Sequence, residues 1–390
     1  MNTIAPFALP FSLMAKPVSA RCNLACTYCY YLEAARRQAE RPTTAPTSTK
    51  AKVRNMLGED FVRDYIQSQP APEVTFVWHG GEPLLCGIEY YEQMLRWQRQ
   101  YADGRTIHNS LQTNGTLLDD QWGRFLAENQ FLVGISIDGP QHLHDAYRRN
   151  RAGQPSFAAV MRGLDCLIRN GVEWNVLATV NHINVSHPRL FYDFFRAIGC
   201  QYLQFTPVVE RTAGTAAVTP ESVRPDEWGA FLCEVFDLWA ARDIGHVFVQ
   251  YFESTLANWL HLPPGLCALG RSCSNGAIVE ADGTIYACDH FAFPEYRLGN
   301  LRQAPLAAII HSPRHQQFAR QKIDGLTQQC RECRWCFACH GECPRNRFAQ
   351  DCYGHPGHNY LCKGYRQFFR HAAPTLNRLA ADIAAQHNLR

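Results

Sequence analysis

The chain has 390 residues, of which 46% are hydrophobic, and it carries a net charge of +3. A chain of this length can bury a large core and divide into two or three domains. Its basic residues form no long runs, and no apolar stretch reaches the roughly 18 residues of a membrane span, so we expect neither nucleic acid nor a membrane as a partner.

Short β-rich runs alternate with amphipathic helical stretches from residue 11 to about residue 245. The predicted strands are 12–18, 74–79, 107–112, 131–137, 173–181 and 201–207. The predicted helices are 59–68, 87–101, 118–128, 157–170, 187–198 and 226–242. Such alternation is typical of parallel strands joined by crossover helices, and the six units predict an α/β fold with a partial (β/α)6 TIM-type barrel.

The segments between and after these elements differ in composition. Polar, proline-containing stretches at 41–52 and 212–227 predict loops. After about residue 250 the periodicity fades and cysteine, glycine and proline dominate, which is typical of a small domain held together by metal. We therefore predict a barrel domain over 1–250 and a cysteine-rich auxiliary domain with a C-terminal helix over 251–390.

The chain contains 17 cysteines and no export signal, because its apolar start lacks a basic segment and is interrupted by prolines. This predicts a cytoplasmic protein. Disulfides are rare in the reducing cytoplasm, so most of the cysteines are expected to bind metal or to take part in catalysis. Four scattered ones are predicted to pack in the core: Cys86, Cys166, Cys200 and Cys233.

Unusual residues follow the predicted strands at their carboxyl ends. A cysteine triplet follows the first strand, a Gly-Gly-Glu-Pro segment the second, and further polar segments the next four. In a (β/α) barrel the loops at this face converge on one mouth, which carries the active site. Glycine-rich turns follow strands in many α/β proteins, so the joint placement of these segments carries the prediction.

The triplet consists of Cys22, Cys26 and Cys29 in the spacing Cys-x3-Cys-x2-Cys. A structural zinc or a ferredoxin-type cluster takes four protein ligands. Three ligands therefore indicate a cubane cluster with one open iron that can bind a substrate. A zinc site completed by a distant histidine is the alternative.

A second set of cysteines lies between residues 267 and 362, and its spacing is highly specific. Eight thiolates can saturate two cubane clusters, which would then serve electron transfer and scaffolding. Two zinc sites with four cysteines each are the alternative. Asp289 directly follows Cys288, so its carboxylate is predicted to lie beside a cluster, where a general base could act next to an electron acceptor. The alternative interpretation is that Asp289 only caps a local turn of the backbone.

The triplet resembles that of radical S-adenosylmethionine (SAM) enzymes, in which the amino and carboxylate groups of SAM chelate the open iron. Electron transfer then releases a 5'-deoxyadenosyl radical. The resemblance implies that Gly80, Gly81 and Glu82 bind the methionine amino group of SAM. It further implies that Ser136 and Arg148 hold the ribose and carboxylate, and that Val209 lies against the adenine.

The distal cysteines match the SPASM domain, an extension of peptide-modifying radical SAM enzymes that holds two auxiliary clusters. The family pattern assigns one cluster to Cys267, Cys273, Cys288 and Cys343. It assigns the other to Cys330, Cys333, Cys339 and Cys362. This implies three [4Fe-4S] clusters together with SAM, and it leaves Cys336 and Cys352 without a role.

Nearly the whole chain looks like the anaerobic sulfatase-maturating enzymes, through segments such as MAKPVSARCNLACTYCYYLE, FVWHGGEP, LQTNGTLLDD and YACDHFAFPEYRLGN. The resemblance implies oxidation of a Cys or Ser in a sulfatase polypeptide to Cα-formylglycine. The radical would remove a Cβ hydrogen, Asp289 would take the thiol or hydroxyl proton, and one electron would leave for an auxiliary cluster. Tyr31 would contact the substrate, as would His79, which replaces a Gln of some members.

The implied partners are an unfolded or nascent sulfatase polypeptide with a Cys/Ser-x-Pro-x-Arg motif and a reduced flavodoxin or ferredoxin-type electron donor. Another SPASM-type peptide maturase, forming thioether crosslinks or epimerising residues, is the closest alternative, and a zinc-stabilised interaction protein is a more distant one. The sequence does not decide between a Cys and a Ser target.

Overall fold

A computed structural model describes residues 10–39, 57–212, 215, 217–273 and 276–387. The predicted loop at 41–52 lies outside these ranges. Within these ranges, no helix has both the length and the apolar character that crossing a bilayer requires.

The described residues form twelve strands: β1 (Leu13–Lys16), β2 (Glu73–Trp78), β3 (Thr106–Thr113), β4 (Leu132–Ser136), β5 (Glu173–Val180), β6 (Tyr202–Pro207), β7 (Phe248–Val249), β8 (Ala277–Glu280), β9 (Thr284–Tyr286), β10 (Arg297–Asn300), β11 (Arg347–Gln350) and β12 (Pro356–Asn359). Ten of them make one sheet in the order β10-β9-β8-β1-β2-β3-β4-β5-β6-β7, and β11 and β12 form a separate antiparallel pair.

The first six strands are parallel neighbours in chain order, as the alternating pattern predicts. The α/β class with a parallel sheet is therefore confirmed. At the far edge β7 extends the parallel ladder from β6. At the near edge β8 pairs in parallel with β1, so the auxiliary segment adds its own strands to the barrel sheet. The domain boundary at residue 250 stays a prediction.

The helices of the described residues are α1 (Tyr31–Ala39), α2 (Glu59–Gln67), α3 (Ile88–Tyr101), α4 (Asp120–Glu128), α5 (Gln141–Tyr147), α6 (Phe157–Arg169), α7 (Pro188–Ala197), α8 (Pro225–Arg242), α9 (Gln250–Trp259), α10 (Leu306–Ile310), α11 (Pro313–Asp324), α12 (Gln328–Arg331), α13 (Cys336–Cys339) and α14 (Cys362–His387). All six predicted helices are present within two residues of their predicted bounds. The hydrophobic pattern did not predict α1, α5 and α9.

The barrel core follows from side-chain periodicity. Alternate residues of β2 are buried, and they end in Trp78, which is fully buried. On α6 the helical stripe of Val160, Leu164 and Leu167 is buried against the sheet. Burial of each such side chain contributes about 1.5–3 kcal/mol to folding. The same apolar cluster continues into the auxiliary segment through Val279 and Ile285.

The C-terminal helix α14 is seated on α8 through a contact between two glycines. A Cβ atom on Gly364 would lie 2.2 Å from the carbonyl oxygen of Pro225, and one on Gly229 would lie 2.8 Å from the Cα of Gly364. Only glycine allows such an approach of two helix backbones. The contact ties Cys362, at the start of α14, to the barrel.

The four cysteines predicted to pack do so. Cys166 and Cys200 are buried, and Cys86 and Cys233 are half-buried with contacts to the main apolar core. These positions suit small apolar side chains.

Candidate active site

The polar segments of the sequence gather at the carboxyl edge of the parallel strands. β1 ends at Lys16 and leads into the cysteine loop, β2 leads into the Gly-Gly-Glu segment, and β3 and β4 end at Thr113 and Ser136. After β6 the chain continues into Val209 and Glu210. The arrangement is the mouth of a (β/α) barrel, where the site was predicted.

The cysteine loop is held by the backbone of the Gly-Gly-Glu segment. Gly81 N donates to the carbonyl of Ser19 (2.7 Å), and Glu82 N donates to that of Arg21 (2.8 Å). A Cβ atom on Gly81 would lie 2.0 Å from the Arg21 carbonyl oxygen. Because Gly81 has no side chain, the backbone of the cysteine loop can approach it closely. Gly80 and Gly81 were predicted to bind SAM. Their contact with SAM stays a prediction.

The three cysteines of the loop are half-buried neighbours. Burial raises the pKa of Cys26 to about 11, the positive charge of Arg148 opposes this, and the thiolates of Cys29 and Cys22 add to it. Leu24 N lies 3.3 Å from the sulfur of Cys22 and donates to it. Such backbone donors and a nearby cation favour thiolate, the form that binds iron. The donor set fits a cluster with three protein ligands.

Arg148 lies beside this loop in a buried trio with Asp138 and Tyr28. Its Nε is 2.9 Å from Asp138 Oδ2, and the Tyr28 hydroxyl donates to the same oxygen. The other oxygen, Oδ1, accepts from Thr179 N at 2.8 Å. Burial lowers the pKa of Arg148, but the carboxylate of Asp138 outweighs it, so the net pKa is raised and the guanidinium stays charged. A fixed cation here suits a carboxylate ligand.

Glu82 is fully buried at the end of the same segment. Its Oε1 accepts from Leu84 N (3.0 Å) and from Thr113 Oγ1 (2.8 Å), and its Oε2 accepts from Asn114 N (2.8 Å). Burial raises its pKa to about 7, although the three hydrogen bonds act in the opposite direction. The carboxylate therefore organises the ends of β2 and β3, and its contact with the SAM ammonium group stays a prediction.

The two other residues assigned to SAM lie on neighbouring strands. Ser136 Oγ accepts from Gln112 Nε2 at 3.1 Å across the ends of β4 and β3. Val209 is 4% exposed and packs within the main core after β6. Both lie at the same edge of the sheet as the cysteine loop, and their contacts with ribose and adenine stay predictions.

Asp289 is at the centre of a second buried trio, with Lys16 and Tyr30. The Lys16 ammonium group pairs with Oδ1, and the Tyr30 hydroxyl donates to Oδ2. Burial raises the pKa of Asp289, but the positive charge of Lys16, joined by His79 and His290 only when those rings are protonated, lowers it by more, so the pKa lies well below its usual range. Its side chain is 16% exposed and that of Lys16 is 0% exposed. Asp289 is thus an ionised carboxylate with partial access from outside.

Sequence reasoning missed Lys16 and Tyr30. One signal was available, since a lysine at the end of a buried strand needs a charge partner. Nothing in the sequence around Tyr30 distinguishes it from the adjacent Tyr31 as a partner of a carboxylate.

The predicted substrate contacts lie close to this carboxylate. Tyr31 is 3% exposed, its hydroxyl donates to Glu280, and the Lys16 nitrogen lies 3.4 Å from the centre of its ring. His79 Nδ1 accepts from Gly80 N at 2.7 Å, and burial lowers its pKa to about 4, so the imidazole is neutral. The contacts of both residues with substrate stay predictions.

The first distal set of cysteines is brought together by the fold: Cys267, Cys273, Cys288 and Cys343. Burial raises the pKa of Cys288 to about 12, and the charges of Asp289, Cys267 and Cys273 influence it further. Burial also raises the pKa of Cys343, and the charges of Cys288 and Cys267 raise it further. The four thiols are therefore neighbours, and their role as the ligands of one cluster stays a prediction.

The second distal set also gathers, around a cavity of about 450 Å³. Its lining includes six cysteines: Cys330, Cys333, Cys336, Cys339, Cys352 and Cys362. Burial raises the pKa of Cys362 to about 12, and the nearby thiolates of Cys330 and Cys333 add to it. Cys336, which had no predicted role, is a neighbour of Cys330 and Cys333.

The thiols fit iron–sulfur clusters by donor type and by grouping. Among the residues that the structure describes, no three His, Cys, Asp or Glu side chains are arranged to hold a metal ion. Each iron of a cubane takes its own thiolate, so the grouping of the three sets is the relevant feature. The particular ligands stay predictions.

Comparisons with known proteins define the class first. The Radical SAM superfamily profile matches residues 17–195, and an iron–sulfur cluster-binding domain called SPASM matches residues 267–334. The chain is therefore a radical SAM protein with a SPASM domain. SAM and a [4Fe-4S] cluster are its cofactors, and the SPASM domain binds additional clusters.

Relatives over the full length define the family. A serine-type anaerobic sulfatase-maturating enzyme of Bacteroides thetaiotaomicron is 47% identical over 99% of this chain and 95% of that protein. A cysteine-type enzyme of Clostridium perfringens is 30% identical over 96% of this chain and 99% of that protein. The solved structure "Native anSMEcpe with bound AdoMet and Cp18Cys peptide" matches with a TM-score of 0.85 and 30% identity, covering 96% of this chain and 100% of that chain. The chain belongs to the anaerobic sulfatase-maturating enzymes, as the sequence predicted.

Proposed function

We propose that this protein oxidises a Cys or Ser residue of a sulfatase polypeptide to Cα-formylglycine. The near-full-length similarity to enzymes named for this activity carries the proposal. The ionised carboxylate of Asp289 at the barrel mouth supports it, because the oxidation needs a group that accepts a proton.

Cys22, Cys26 and Cys29 would hold the cluster at which SAM binds, and SAM would supply the radical chemistry that removes a Cβ hydrogen atom from the target residue. Arg148 would hold its carboxylate, since a guanidinium that is fixed by Asp138 needs no reorientation. Glu82 would meet its ammonium group, and Ser136 its ribose.

Asp289 takes the thiol or hydroxyl proton in this proposal. Each carboxylate oxygen has two lone pairs, and Lys16 and Tyr30 use one on each oxygen. The proton of the substrate can therefore reach a remaining lone pair while the two partners keep the carboxylate in place. Lys16 also balances the negative charge before the proton arrives.

Cys267, Cys273, Cys288 and Cys343 would hold an auxiliary cluster, which would supply an acceptor for the electron that remains on the target residue. Asp289 is covalently next to Cys288 of that set, so the proton acceptor and the electron acceptor are adjacent. Loss of the hydrogen atom, the proton and the electron completes a two-electron oxidation. An alcohol becomes an aldehyde, and a thiol becomes a thioaldehyde that water hydrolyses to the same product.

The target is proposed to be an unfolded or nascent sulfatase segment of the Cys/Ser-x-Pro-x-Arg type, modified in the cytoplasm, with a reduced flavodoxin or ferredoxin as electron donor. We infer that serine is the better target, because identity is 47%, 37% and 36% to serine-type relatives and 30% to cysteine-type ones.

Paired peptides that differ only in Ser or Cys test the proposal. The anaerobically reconstituted protein, with SAM and dithionite, should convert the Ser peptide to an aldehyde that a hydrazine reagent captures, with a mass loss of two hydrogen atoms. The Cys peptide should react more slowly. Thioether crosslinks or epimerised residues without aldehyde would instead identify another type of peptide maturase.

A further inference from the structure

A buried lysine lies beside the first distal set of cysteines. Lys322, on α11, is 1% exposed. Its side-chain nitrogen donates to the carbonyl oxygens of Cys267 (2.8 Å) and Ala268 (2.7 Å). The same helix also holds Cys273, whose backbone N donates to the carbonyl of Ala319 at 3.1 Å. The lysine nitrogen is therefore fixed at the segment that carries two predicted ligands of the first auxiliary cluster.

The charge of Lys322 acts on thiols of this set. Burial raises the pKa of Cys267 and that of Cys273, and in both cases the charge of Lys322 is the largest effect in the opposite direction. Conversely, burial lowers the pKa of Lys322, and the charges of Glu342 and of the thiolates of Cys273, Cys267 and Cys343 oppose this. All three of these thiols belong to the first set.

No carboxylate neutralises this lysine directly. Within the described ranges, its nitrogen has no carboxylate oxygen at ion-pair distance. Glu342 is the acid whose charge affects it most, and two amide groups already hydrogen-bond the Oε2 of that acid: those of Asn346 (3.2 Å) and Asn359 (2.8 Å). Burial raises the pKa of Cys339 in the second set, and the charge of Glu342 adds to it. Glu342 therefore acts on both sets, whereas Lys322 acts on the first.

A fixed cation changes the redox properties of a neighbouring cluster. Reduction adds one negative charge to a cluster, and a positive charge beside it stabilises the reduced form more than the oxidised form. Net charge and hydrogen bonds are among the factors that set the reduction potential of an iron–sulfur cluster. The effect of Lys322 should exceed that of an exposed cation, because water and salt screen a buried charge far less.

We propose that Lys322 raises the reduction potential of the auxiliary cluster that the first distal set would hold, and thereby makes that cluster the acceptor of the substrate's electron. The inference rests on the proposed function, in which the target residue loses one electron and this cluster gains it. No bond is made or broken in this transfer. Lys322 acts through the cluster and not on the peptide itself, so it is a positioning residue.

A redox titration of the auxiliary clusters, followed by electron paramagnetic resonance, tests the proposal. Reconstituted full-length protein with Cys22→Ala, Cys26→Ala and Cys29→Ala lacks the ligands of the SAM-binding cluster, so its signals come from the distal sets alone. In this parent protein Lys322→Gln removes the charge and keeps amide donors for the two carbonyls. One of the two auxiliary transitions should shift to a more negative potential, and the other should stay where it is in the parent.

Two controls separate charge from folding. Lys322→Arg keeps the charge and should leave both potentials near those of the parent. Arg320→Gln removes a positive charge from the same helix, at a side chain that is 74% exposed, and should also leave both unchanged. Iron analysis accompanies each titration, and every variant should bind as much iron as the parent.

A second variant tests the same electrostatics in the opposite direction. Glu342→Gln removes a buried negative charge and keeps a side-chain oxygen for the amides of Asn346 and Asn359. Both transitions should shift to less negative potentials, because Glu342 acts on both sets. A shift with Glu342→Gln but none with Lys322→Gln would show that single buried charges are detected and that Lys322 does not set the potential.

Unchanged potentials in Lys322→Gln would overturn the proposal. So would loss of one cluster's iron from Lys322→Gln, because the lysine would then serve the assembly of the site. The peptide assay is run separately on protein with all three cysteine sets, where Lys322→Gln should lower the ratio of aldehyde to deoxyadenosine several-fold. A shifted potential with an unchanged ratio would overturn the assignment of this cluster as the electron acceptor. If the wild type forms no aldehyde while the potential shift is present, the proposed function is wrong and the effect of Lys322 on the cluster stands.

Discussion

The structure contains two buried trios of the same composition, each with an aspartate, a cation and a tyrosine from the cysteine loop. In the first, Asp138 binds Arg148 and Tyr28. In the second, Asp289 binds Lys16 and Tyr30. The two tyrosines are two residues apart, so the loop contacts one trio on each side of Cys29.

The trios differ in access and in origin. Asp138 is 1% exposed, and a backbone amide uses its other oxygen, so the trio is a closed structural unit within the barrel. Asp289 is 16% exposed and comes from the auxiliary segment, 273 residues from its lysine partner. The same three groups can thus fix a cofactor-binding cation in one place and a proton acceptor in the other, and solvent access makes the difference.

The sharpest test of this comparison is the loss of each carboxylate. Asp289→Asn should lower aldehyde formation by about 10²–10⁴-fold, the usual contribution of a general base, while SAM cleavage to deoxyadenosine continues. Asp138→Asn should instead impair SAM cleavage, because Arg148 loses its partner. Chromatography of deoxyadenosine together with mass spectrometry of the peptide distinguishes the two. Undiminished aldehyde from Asp289→Asn would refute the assigned base.

The cation of the second trio should matter nearly as much. Lys16→Met leaves the buried carboxylate unpaired, which costs about 3–5 kcal/mol of folding free energy. The ratio of aldehyde to deoxyadenosine should also fall. Lys16→Arg keeps the charge and is the matched control, which should recover most of both losses. Denaturant unfolding of the holoenzyme measures the first effect, and a Lys16→Met protein as stable as Lys16→Arg would contradict the pairing.

The first trio should show a pH dependence through His144, which lies beneath it. The ring is fully buried, and its Nδ1 accepts from Asp138 N at 3.3 Å. Burial lowers its pKa to about 4, below its unfolded value, so the unfolded chain binds more protons between these values. Stability should therefore fall as the pH drops, by about 2 kcal/mol between pH 7 and pH 5.

Unfolding free energies of His144→Gln across this range check the assignment. The variant should show a flatter slope than wild type. His142→Gln, on the exposed side of α5, is the control, and a slope that both variants change equally would remove His144 as its source.

The smallest expected effects come from the tyrosines. Tyr28→Phe and Tyr30→Phe each remove one hydrogen bond from a carboxylate that keeps its cation, so each should cost about 1 kcal/mol of stability. Only Tyr30→Phe should lower the aldehyde to deoxyadenosine ratio, by a few-fold, since only that phenol orients the proton acceptor. Equal ratios in the two variants would erase the functional distinction between the trios.

Local patterns predicted much of this molecule. Strands β1 to β6 follow from apolar alternation, and the cysteine spacing together with the family resemblance predicted three sets of metal ligands. Asp289 was predicted beside a cluster because it adjoins Cys288 in the chain. Gly81 was predicted to bind SAM, and the contact of its backbone with the cysteine loop had no signal in the sequence.

Other features depend on contacts that no local pattern encodes. Lys16 and Asp289 meet only because β8 pairs with β1, and this pairing joins segments more than 250 residues apart. Tyr30 reaches the same carboxylate across 259 residues. Tyr31 was predicted to face the substrate, and nothing in its neighbourhood in the sequence indicates the bond to Glu280.

The pairing of β1 with β8 also limits how this enzyme can be recombined with its relatives. Leu13 through Lys16 pair residue by residue with Ala277 through Glu280, so the strand that ends in Lys16 is fixed against the segment that continues to Asp289. A chimera with its N-terminal half from one parent and its C-terminal half from another would pair β1 of one parent with β8 of the other. Recombination should therefore exchange both strands together, even though more than 250 residues separate them in the chain.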